Sequence, residues 1–379
     1  MNLTDLRILV VGGGFSGLAA GIALTGRGAS VDLVERSPEW TMDGAGISIG
    51  PASVRALHML GAYERFLREG AGCDGMDARD ASGAHLTTFP TPRLADPGLP
   101  GNGAILRPVL GRILVDLALA GGVSARLGTV PVNMVEGGGK RDGVRVELGD
   151  GTAADYDLVV AADGLYSTTR DRLFPEAPAP TYSGQGAWRA VVPRPGEVEH
   201  TVLWVGGPVK LGVNPVSRDE MYLFVNENRA ARDRIPESEW IARLAEMLTP
   251  FGDPMLVAAR EALGPESQVL FRPMDNLLVP LPWHRGRILL IGDAVHATTP
   301  HLAAGAGIGL EDAIALAEEL ERAPDVEAAL TAFGRRRFER CRMVVENSEE
   351  LGQLETTPGM EQAYTALQAE SLRILAQPF

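Results

Sequence analysis

The stretch 7–38, "RILVVGGGFSGLAAGIALTGRGASVDLVERSP", decides how this chain folds. Ile8 to Val11 form a short apolar run rich in β-branched residues, the pattern of a buried parallel strand. Gly12, Gly14 and Gly17 follow in GxGxxG spacing, and Leu18 to Leu24 continue with small residues suited to close helix–strand packing. Gly12 permits the tight turn, Gly14 lets the backbone approach a pyrophosphate, and Gly17 lets the helix settle on the strand. The helix N-terminus offers unpaired N–H groups and the positive end of its dipole to phosphate. After Gly28, Val31 to Val34 read as a second strand ending at Glu35, 23 residues beyond Gly12, where a carboxylate accepts ribose hydroxyls. Strand, helix and acid in register predict a dinucleotide site with a free ribose 2′-OH. The motif alone does not choose between NAD and FAD.

The bulk of the chain narrows the setting. At 379 residues it exceeds a typical single core, so two domains or one large composite domain are expected. With 45% hydrophobic and 22% charged residues and no low-complexity tract, the composition is globular. A net charge of −14 argues against nucleic acid or an anionic membrane as the main partner, while leaving room for a local basic pocket. Cys73 and Cys341 are too few for a disulfide framework and form no CxxC pair, so a reducing, cytoplasmic setting is expected. "MNLTDLRILVVGGG" lacks a basic n-region and its apolar run breaks at glycines, so it reads as neither signal peptide nor anchor. No stretch approaches the roughly 20 apolar residues that a membrane-spanning helix needs.

Two further stretches choose the dinucleotide. "ADYDLVVAADGLYSTTRDRLF" (154–174) runs a strand, Leu158 to Ala162, into Asp163-Gly164, with Ser167 and Arg170 following. "GRILLIGDAVHATTP" (286–300) runs another, Ile288 to Ile291, into Gly292-Asp293. Ligands of open parallel sheets gather outside the carboxyl ends of the strands, so three such ends can surround one extended ligand. A long dinucleotide held extended needs a site drawn from both ends of the chain; an ordinary NAD dehydrogenase does not.

With these motifs in this order, the chain resembles the FAD-dependent aromatic hydroxylases of the p-hydroxybenzoate hydroxylase fold, and more closely their salicylate- and urate-hydroxylase branch, over roughly 5–345. The resemblance implies an α/β architecture: a Rossmann-like FAD-binding domain of the glutathione-reductase type, an inserted antiparallel β-sheet substrate domain, and C-terminal helices. It divides the chain into an FAD-binding domain of 1–75, 101–178 and 276–379 and a substrate domain of 76–100 and 179–275. It assigns the FAD pyrophosphate to Gly12, Gly14 and Gly17 with Phe15 and Ser16 in the same turn, and the adenosine ribose to Glu35 with Arg36 beside it. "GAGIS" (44–48) looks like the loop that reaches the flavin, with Gly46 and Ser48 as contacts. Arg107 of "LRPVLGRIL" matches the arginine near the FAD phosphate or ribityl chain, and Val132 the backbone contact to adenine. Asp163 is the carboxylate of the DG motif, and Asp293 the ribityl ligand.

The same resemblance lays Pro300 against the isoalloxazine and lets "AAGAG" (303–307), with Ala304, Gly305, Ala306 and Gly307, cradle the pyrimidine end through backbone N–H groups. The family often has Gly-Gln-Gly where this chain has Ala303-Ala304-Gly305. An amphipathic helix follows, with Ile308, Leu310, Ile314, Ala317 and Leu320 largely on one face, and its positive N-terminus would stabilise negative charge on reduced flavin. Glu311 and Asp312 read as ordinary first-turn acids. His296 reads as structural, whereas His301, just past the flavin-facing proline, is a candidate on the substrate side. No metal is expected, because no His/Cys spacing typical of zinc is present.

From about 180 to 275 the pattern changes to short β-rich runs, "GAWRAVVP", "TVLWVGG", "VKLGVNPV" and "MYLFVNEN", separated by Gly, Pro and Asp turns. These predict an antiparallel sheet, joined by the segment near 76–100, one face of which roofs the flavin. Trp188, Arg189, Trp204, Lys210, Asn214, Tyr222 and Phe224 are candidate liners of a substrate pocket, although alternation sends about half of such residues elsewhere. Lys210 and Tyr222 match a basic residue and a tyrosine facing substrate in the urate-hydroxylase branch. With His301 they are the catalytic candidates.

The function implied by the resemblance is a monooxygenase. Reduced nicotinamide delivers hydride to non-covalently bound FAD, reduced flavin captures O₂ as a C4a-hydroperoxide, and the distal oxygen passes to an aromatic or heteroaromatic small molecule. No second strand–GxGxxG–helix unit is present, so NAD(P)H would dock transiently. A monomer or homodimer with no nucleic-acid or membrane partner is expected. Flavin reductases on the same scaffold and, from another class, a non-catalytic binding module are the alternatives.

Overall fold

The computed structural model describes residues 1–42, 44–137 and 143–379. The glycine-marked stretch folds as strand Arg7–Val11, helix Phe15–Thr25 and strand Ser30–Glu35. The first strand is the centre of a six-stranded sheet ordered His284–Arg285, Ile288–Leu290, Leu158–Ala161, Arg7–Val11, Ser30–Glu35 and Ser124–Leu127. All pairs are parallel except the short edge strand His284–Arg285. Ile8, Leu9 and Val10 are fully buried because helices and a small second sheet cover both faces. Each such side chain contributes about 1.5–3 kcal/mol of hydrophobic stabilisation. The order makes the three strands that end at Gly12, Asp163 and Gly292 immediate neighbours, as their polar, glycine-marked ends predict.

The second large sheet has seven strands, ordered Val269–Asn276, Thr181–Pro193, Glu220–Asn228, Lys210–Pro215, Thr201–Trp204, Met76–Arg79 and His85–Phe89. It departs from the expected antiparallel sheet at one place: Thr201–Trp204 and Met76–Arg79 pair in parallel. Its back face carries Trp188, Ala190, Leu211, Val213, Leu223 and Val225 into a core closed by helices Glu237–Leu248 and Pro254–Glu261. Residues one position away along each strand therefore point the opposite way, toward the first domain. A three-stranded sheet of Gly46–Ile49, Asn102–Leu106 and Ala71–Cys73 packs on the seven-stranded sheet.

Helix Gly305–Arg322 runs back through the interior, with Leu310, Ala313, Ile314 and Leu316 buried. The long helix Val326–Glu355 packs against it, and the helix Glu361–Ala376 packs in turn on the long helix and on helix Pro51–Met59.

Candidate active site

The cofactor cleft is built from glycines that fail in different ways to accommodate a side chain. Gly12 sits at φ 104°, and a Cβ there would collide with the carbonyl oxygen of Ala162; a Cβ on Gly17 would collide with the Gly12 carbonyl. At Gly14 a Cβ would meet nothing within 4 Å. Gly14 also caps helix Phe15–Thr25 without any side-chain hydrogen bond, so the helix end is open on the side where the backbone is bare. An open helix end beside bare backbone is a setting that suits a phosphate. Glu35 lies beside it: Gly13 N–H donates to Oε2 at 2.7 Å and Ser37 N–H to Oε1 at 2.9 Å. Arg36 is exposed next to it.

The Ser16 hydroxyl occupies the space left by two missing Cβ atoms, those of Gly292 and Gly309. Its side chain thus locks the first turn against the GD turn and the later helix. Asp293 opens toward the cleft, and crowding by protein raises its carboxyl pKa against the opposing pull of His296 and Arg107. The Arg107 guanidinium stacks 4.9 Å from the Phe15 ring centroid and is held below its ordinary pKa by burial and by Arg189. Its backbone N–H donates to the Ala45 carbonyl at 2.9 Å, tying it to the 44–48 loop. The chemistry of this donor set fits FAD: an open glycine and helix end for phosphate, acids for ribose and ribityl hydroxyls, and an arginine between them.

Two further cofactor candidates make contacts within the protein. Both oxygens of Asp163 serve its own turn, accepting from Ser167 Oγ at 2.5 Å and Thr169 N–H at 3.1 Å. Val132 lies exposed on strand Pro131–Glu136, and its carbonyl accepts from Arg172 Nη1 at 3.2 Å.

Beyond Asp293 the chain turns at Pro300–Leu302 and reaches Ala303, whose φ of 49° makes it the one positive-φ non-glycine among the described residues. Ala304 then caps helix Gly305–Arg322 without a side-chain bond, and Gly305, Ala306 and Gly307 form its first turn. Gly307 is required by close packing on Ser53. Here a cavity of about 250 Å³ opens, with the Ser48–Ser53 segment and Pro300–Ala304 on one side and the front face of the seven-stranded sheet on the other. Arg189, Lys210, Asn214, Tyr222 and Phe224 line it from the sheet, as does His301 from the 3-10 turn. Asn214 accepts from Thr201 Oγ1 at 2.6 Å and donates to Ser48 Oγ at 3.1 Å, clasping the sheet and the 44–48 loop together. Gly46 leaves room for the ring of Tyr222, which a Cβ would strike.

Trp188 and Trp204 are corrections. Both are buried in the back core, with Nε1 donating at 2.8 Å to Glu227 and Asp253 respectively. Strand alternation places them opposite Arg189 and Leu203, which do reach the cavity.

Glu311 and Asp312 are corrections too. They lie in the second turn of their helix, fully buried, inside a charge network that sequence reading missed. Arg340 clasps Glu311 in a two-point contact at 2.7 and 2.8 Å, and Arg337 approaches it at 3.0 Å. Asp312 accepts from Arg337 Nε at 2.8 Å and from the backbone N–H of Gly292 at 3.0 Å. His296, fully buried, reaches the same carboxylate. The His296, Asp312 and Cys341 donor atoms lie within 4.8 Å of one another, and Arg337 reaches the same Asp312 carboxylate. The signal was present in "FGRRRFERC": Arg337 and Arg340 stand at helical spacing with Phe333, Cys341 and Val344, on the apolar stripe. Two further residues near the cavity, Glu355 and Tyr364, carried no signal that singled them out.

The fold and this cleft define a flavoprotein monooxygenase, and comparison with known proteins agrees. The chain belongs to the FAD-binding-domain family, whose model matches residues 5–348. It is 32% identical over 356 residues to a 2-heptyl-3-hydroxy-4(1H)-quinolone synthase of Pseudomonas aeruginosa (92% of this chain, 89% of that protein). It is 31% identical over 362 residues to a 6-hydroxynicotinate 3-monooxygenase of Bordetella bronchiseptica (89% of each). Among solved structures, Klebsiella pneumoniae HpxO complexed with FAD and uric acid superposes with a TM-score of 0.82 at 27% identity, covering 98% of this chain and 95% of that one. The protein is an FAD-dependent monooxygenase of the aromatic hydroxylase type, with FAD as cofactor. Among the described residues no helix is long and apolar enough to cross a membrane.

Proposed function

We propose that the cavity over Pro300 is where an aromatic or heteroaromatic ring receives one oxygen atom of O₂. The observation that carries this reading is the shared wall: Ser48, Pro300 and Ala304, assigned to flavin contact, also line the cavity. A ring bound there lies directly against the cofactor. The chemistry supplied by bound FAD is reductive activation of O₂ and delivery of oxygen to the ring. The residues of this chain do the rest. Gly14, the open helix end, Arg107 and Asp293 would hold the cofactor, while the Asn214 clasp ties the sheet to the 44–48 loop. Tyr222, Phe224 and Leu203 offer the ring an apolar, water-excluding wall, which protects a reactive oxygen donor from hydrolysis. The open N-terminus of helix Gly305–Arg322 would offer positive potential to bound flavin.

The reading includes a substrate domain of 76–100 and 179–275, a cytoplasmic setting and a monomer or homodimer; two buried, unpaired cysteines, Cys73 and Cys341, favour the reducing compartment. The rings named for the relatives, a quinolone, a hydroxypyridine carboxylate and uric acid, set the first panel. The purified protein should be yellow, and a ring from that panel should stimulate NADH or NADPH oxidation with O₂ uptake and a hydroxylated product. Flavin reduction that no aromatic stimulates, equally fast without O₂, would replace this reading with a reductase.

A further inference from the structure

Lys210 faces the cavity but is not free within it. Its Nζ donates to Glu355 Oε2 at 2.8 Å and to the Tyr364 hydroxyl at 2.6 Å. These partners come from the end of helix Val326–Glu355 and the start of helix Glu361–Ala376. Glu355 Oε2 also lies 3.5 Å from His301 Nε2. Burial disfavours the Lys210 charge, but Glu355 and Tyr364 outweigh it and raise the ammonium above its ordinary pKa, so the pair is ionic. Burial and the Lys210 charge push His301 down to about 3; the nearby Glu355 carboxylate opposes this but is already paired with the closer ammonium. At neutral pH this corner therefore holds one cation, one anion and one neutral imidazole. Its formal charge is zero.

The other cation facing the cavity, Arg189, lies close enough to Arg107 to depress that guanidinium's pKa, so its charge belongs to the cofactor end. Helix Glu361–Ala376, which supplies Tyr364 to Lys210, also supplies Leu372 and Leu375 to the cavity wall, where Phe89 and Leu94 add further apolar surface. A carboxylate entering beside Lys210 would find the ammonium already engaged and Glu355 facing it, and a desolvated unpaired charge is costly. An uncharged ring meets no such penalty.

We propose that Glu355 is a specificity-determining residue: by cancelling Lys210 it makes the cavity select an uncharged aromatic or heteroaromatic ring over the same ring bearing a carboxylate. This rests on the reading that the cavity is the ring-binding site. Removing the Glu355 charge should release Lys210 and turn the same corner into a carboxylate site.

The test uses the FAD-loaded protein and matched ring pairs: 4(1H)-quinolone with its 2-carboxylate, 2-hydroxypyridine with 6-hydroxynicotinate, and phenol with salicylate. Binding is read from the perturbation of the flavin absorption spectrum. The wild type should bind the uncharged member of a pair at least about tenfold more tightly. Glu355→Gln should shrink or reverse that ratio by strengthening carboxylate binding, and the double variant K210M/E355Q should lose the gain. A purely structural role for Glu355 would weaken both members alike, which overturns the proposal. A wild type that binds the carboxylates equally well or better overturns it without any variant. A protein that responds to no ring at all takes down the hydroxylation reading with it, whereas a response confined to carboxylates removes only this inference.

Discussion

His296 Nε2 lies 2.6 Å from Asp312 Oδ2, with both side chains sealed from solvent. The same carboxylate receives the Gly292 N–H and the Arg337 guanidinium. One buried acid thus joins the turn that presents Asp293, the helix behind the flavin loop, and the long C-terminal helix. Breaking one partner of a buried ionic network leaves an uncompensated charge, at a cost of about 3–5 kcal/mol. Asp312→Asn should lose about that much stability in urea unfolding of the FAD-free protein.

The pH dependence of this pair has a definite sign. Burial alone would depress His296, but Cys341 and Asp312 together raise it well above its ordinary value. Its stabilisation is then fully present below its unfolded value of about 6.5 and lost as pH rises through the raised folded value. Asp312 is held low by His296 and Arg337 despite burial, so its share is present above about 3.9 and lost on acidification. His296→Asn should flatten the alkaline limb of the stability profile, compared with wild type by urea unfolding at stepped pH.

His301, five residues on, behaves oppositely. Held near 3 by burial and Lys210, it stays neutral while the unfolded chain takes up a proton below about 6.5. Acidification from about 6.5 toward 3 should therefore cost stability, and His301→Asn should remove that part of the loss. A variant profile identical to wild type across this window would show that His301 is protonated in the folded protein.

Gly14 and Gly17 separate ligand from fold. A Cβ at Gly14 projects into open space, so Gly14→Ala should leave the FAD-free protein within about 0.5 kcal/mol of wild type while weakening FAD binding. At Gly17 the same Cβ meets the Gly12 carbonyl, so Gly17→Ala should destabilise the FAD-free protein itself by about 1–3 kcal/mol. Unfolding curves and FAD titrations on both variants distinguish the two effects.

Ala303 occupies the left-handed region that costs a side-chain-bearing residue about 1–2 kcal/mol. Ala303→Gly relieves this strain but gains freedom in the unfolded chain, for a net stabilisation of up to about 1 kcal/mol. A β-branched residue there, Ala303→Val, should be clearly destabilising by the same measurement.

Much of this architecture was legible because it rests on local rules. Glycine spacing and a terminal acid located the first turn, and polar strand ends at Asp163 and Gly292 located its neighbours. Period-two alternation in the 186–228 runs gave the sheet, but not which face was which. Trp188 and Arg189 are adjacent in sequence, and only the packing of helix Glu237–Leu248 behind the sheet decides which one sees the cavity. The acids at 311 and 312 were misplaced because a helix's register gives a direction, not a depth. Their partners arrive 25 to 29 residues later, from a helix whose docking no local pattern encodes. Glu355 and Tyr364 were missed for the same reason: their meaning depends on Lys210, more than 140 residues upstream.

Strand Arg7–Val11, near the start of the chain, is flanked by Leu158–Ala161, and Ser16 needs the gaps at Gly292 and Gly309 to sit where it does. A ribosome releases these pieces in order, over the synthesis of some 300 residues. Both strands beside Arg7–Val11, Ser30–Glu35 and Leu158–Ala161, thus emerge well before the glycines that seat Ser16. The seat of Ser16 is therefore finished only when the last quarter of the chain, with the GD turn and helix Gly305–Arg322, has emerged.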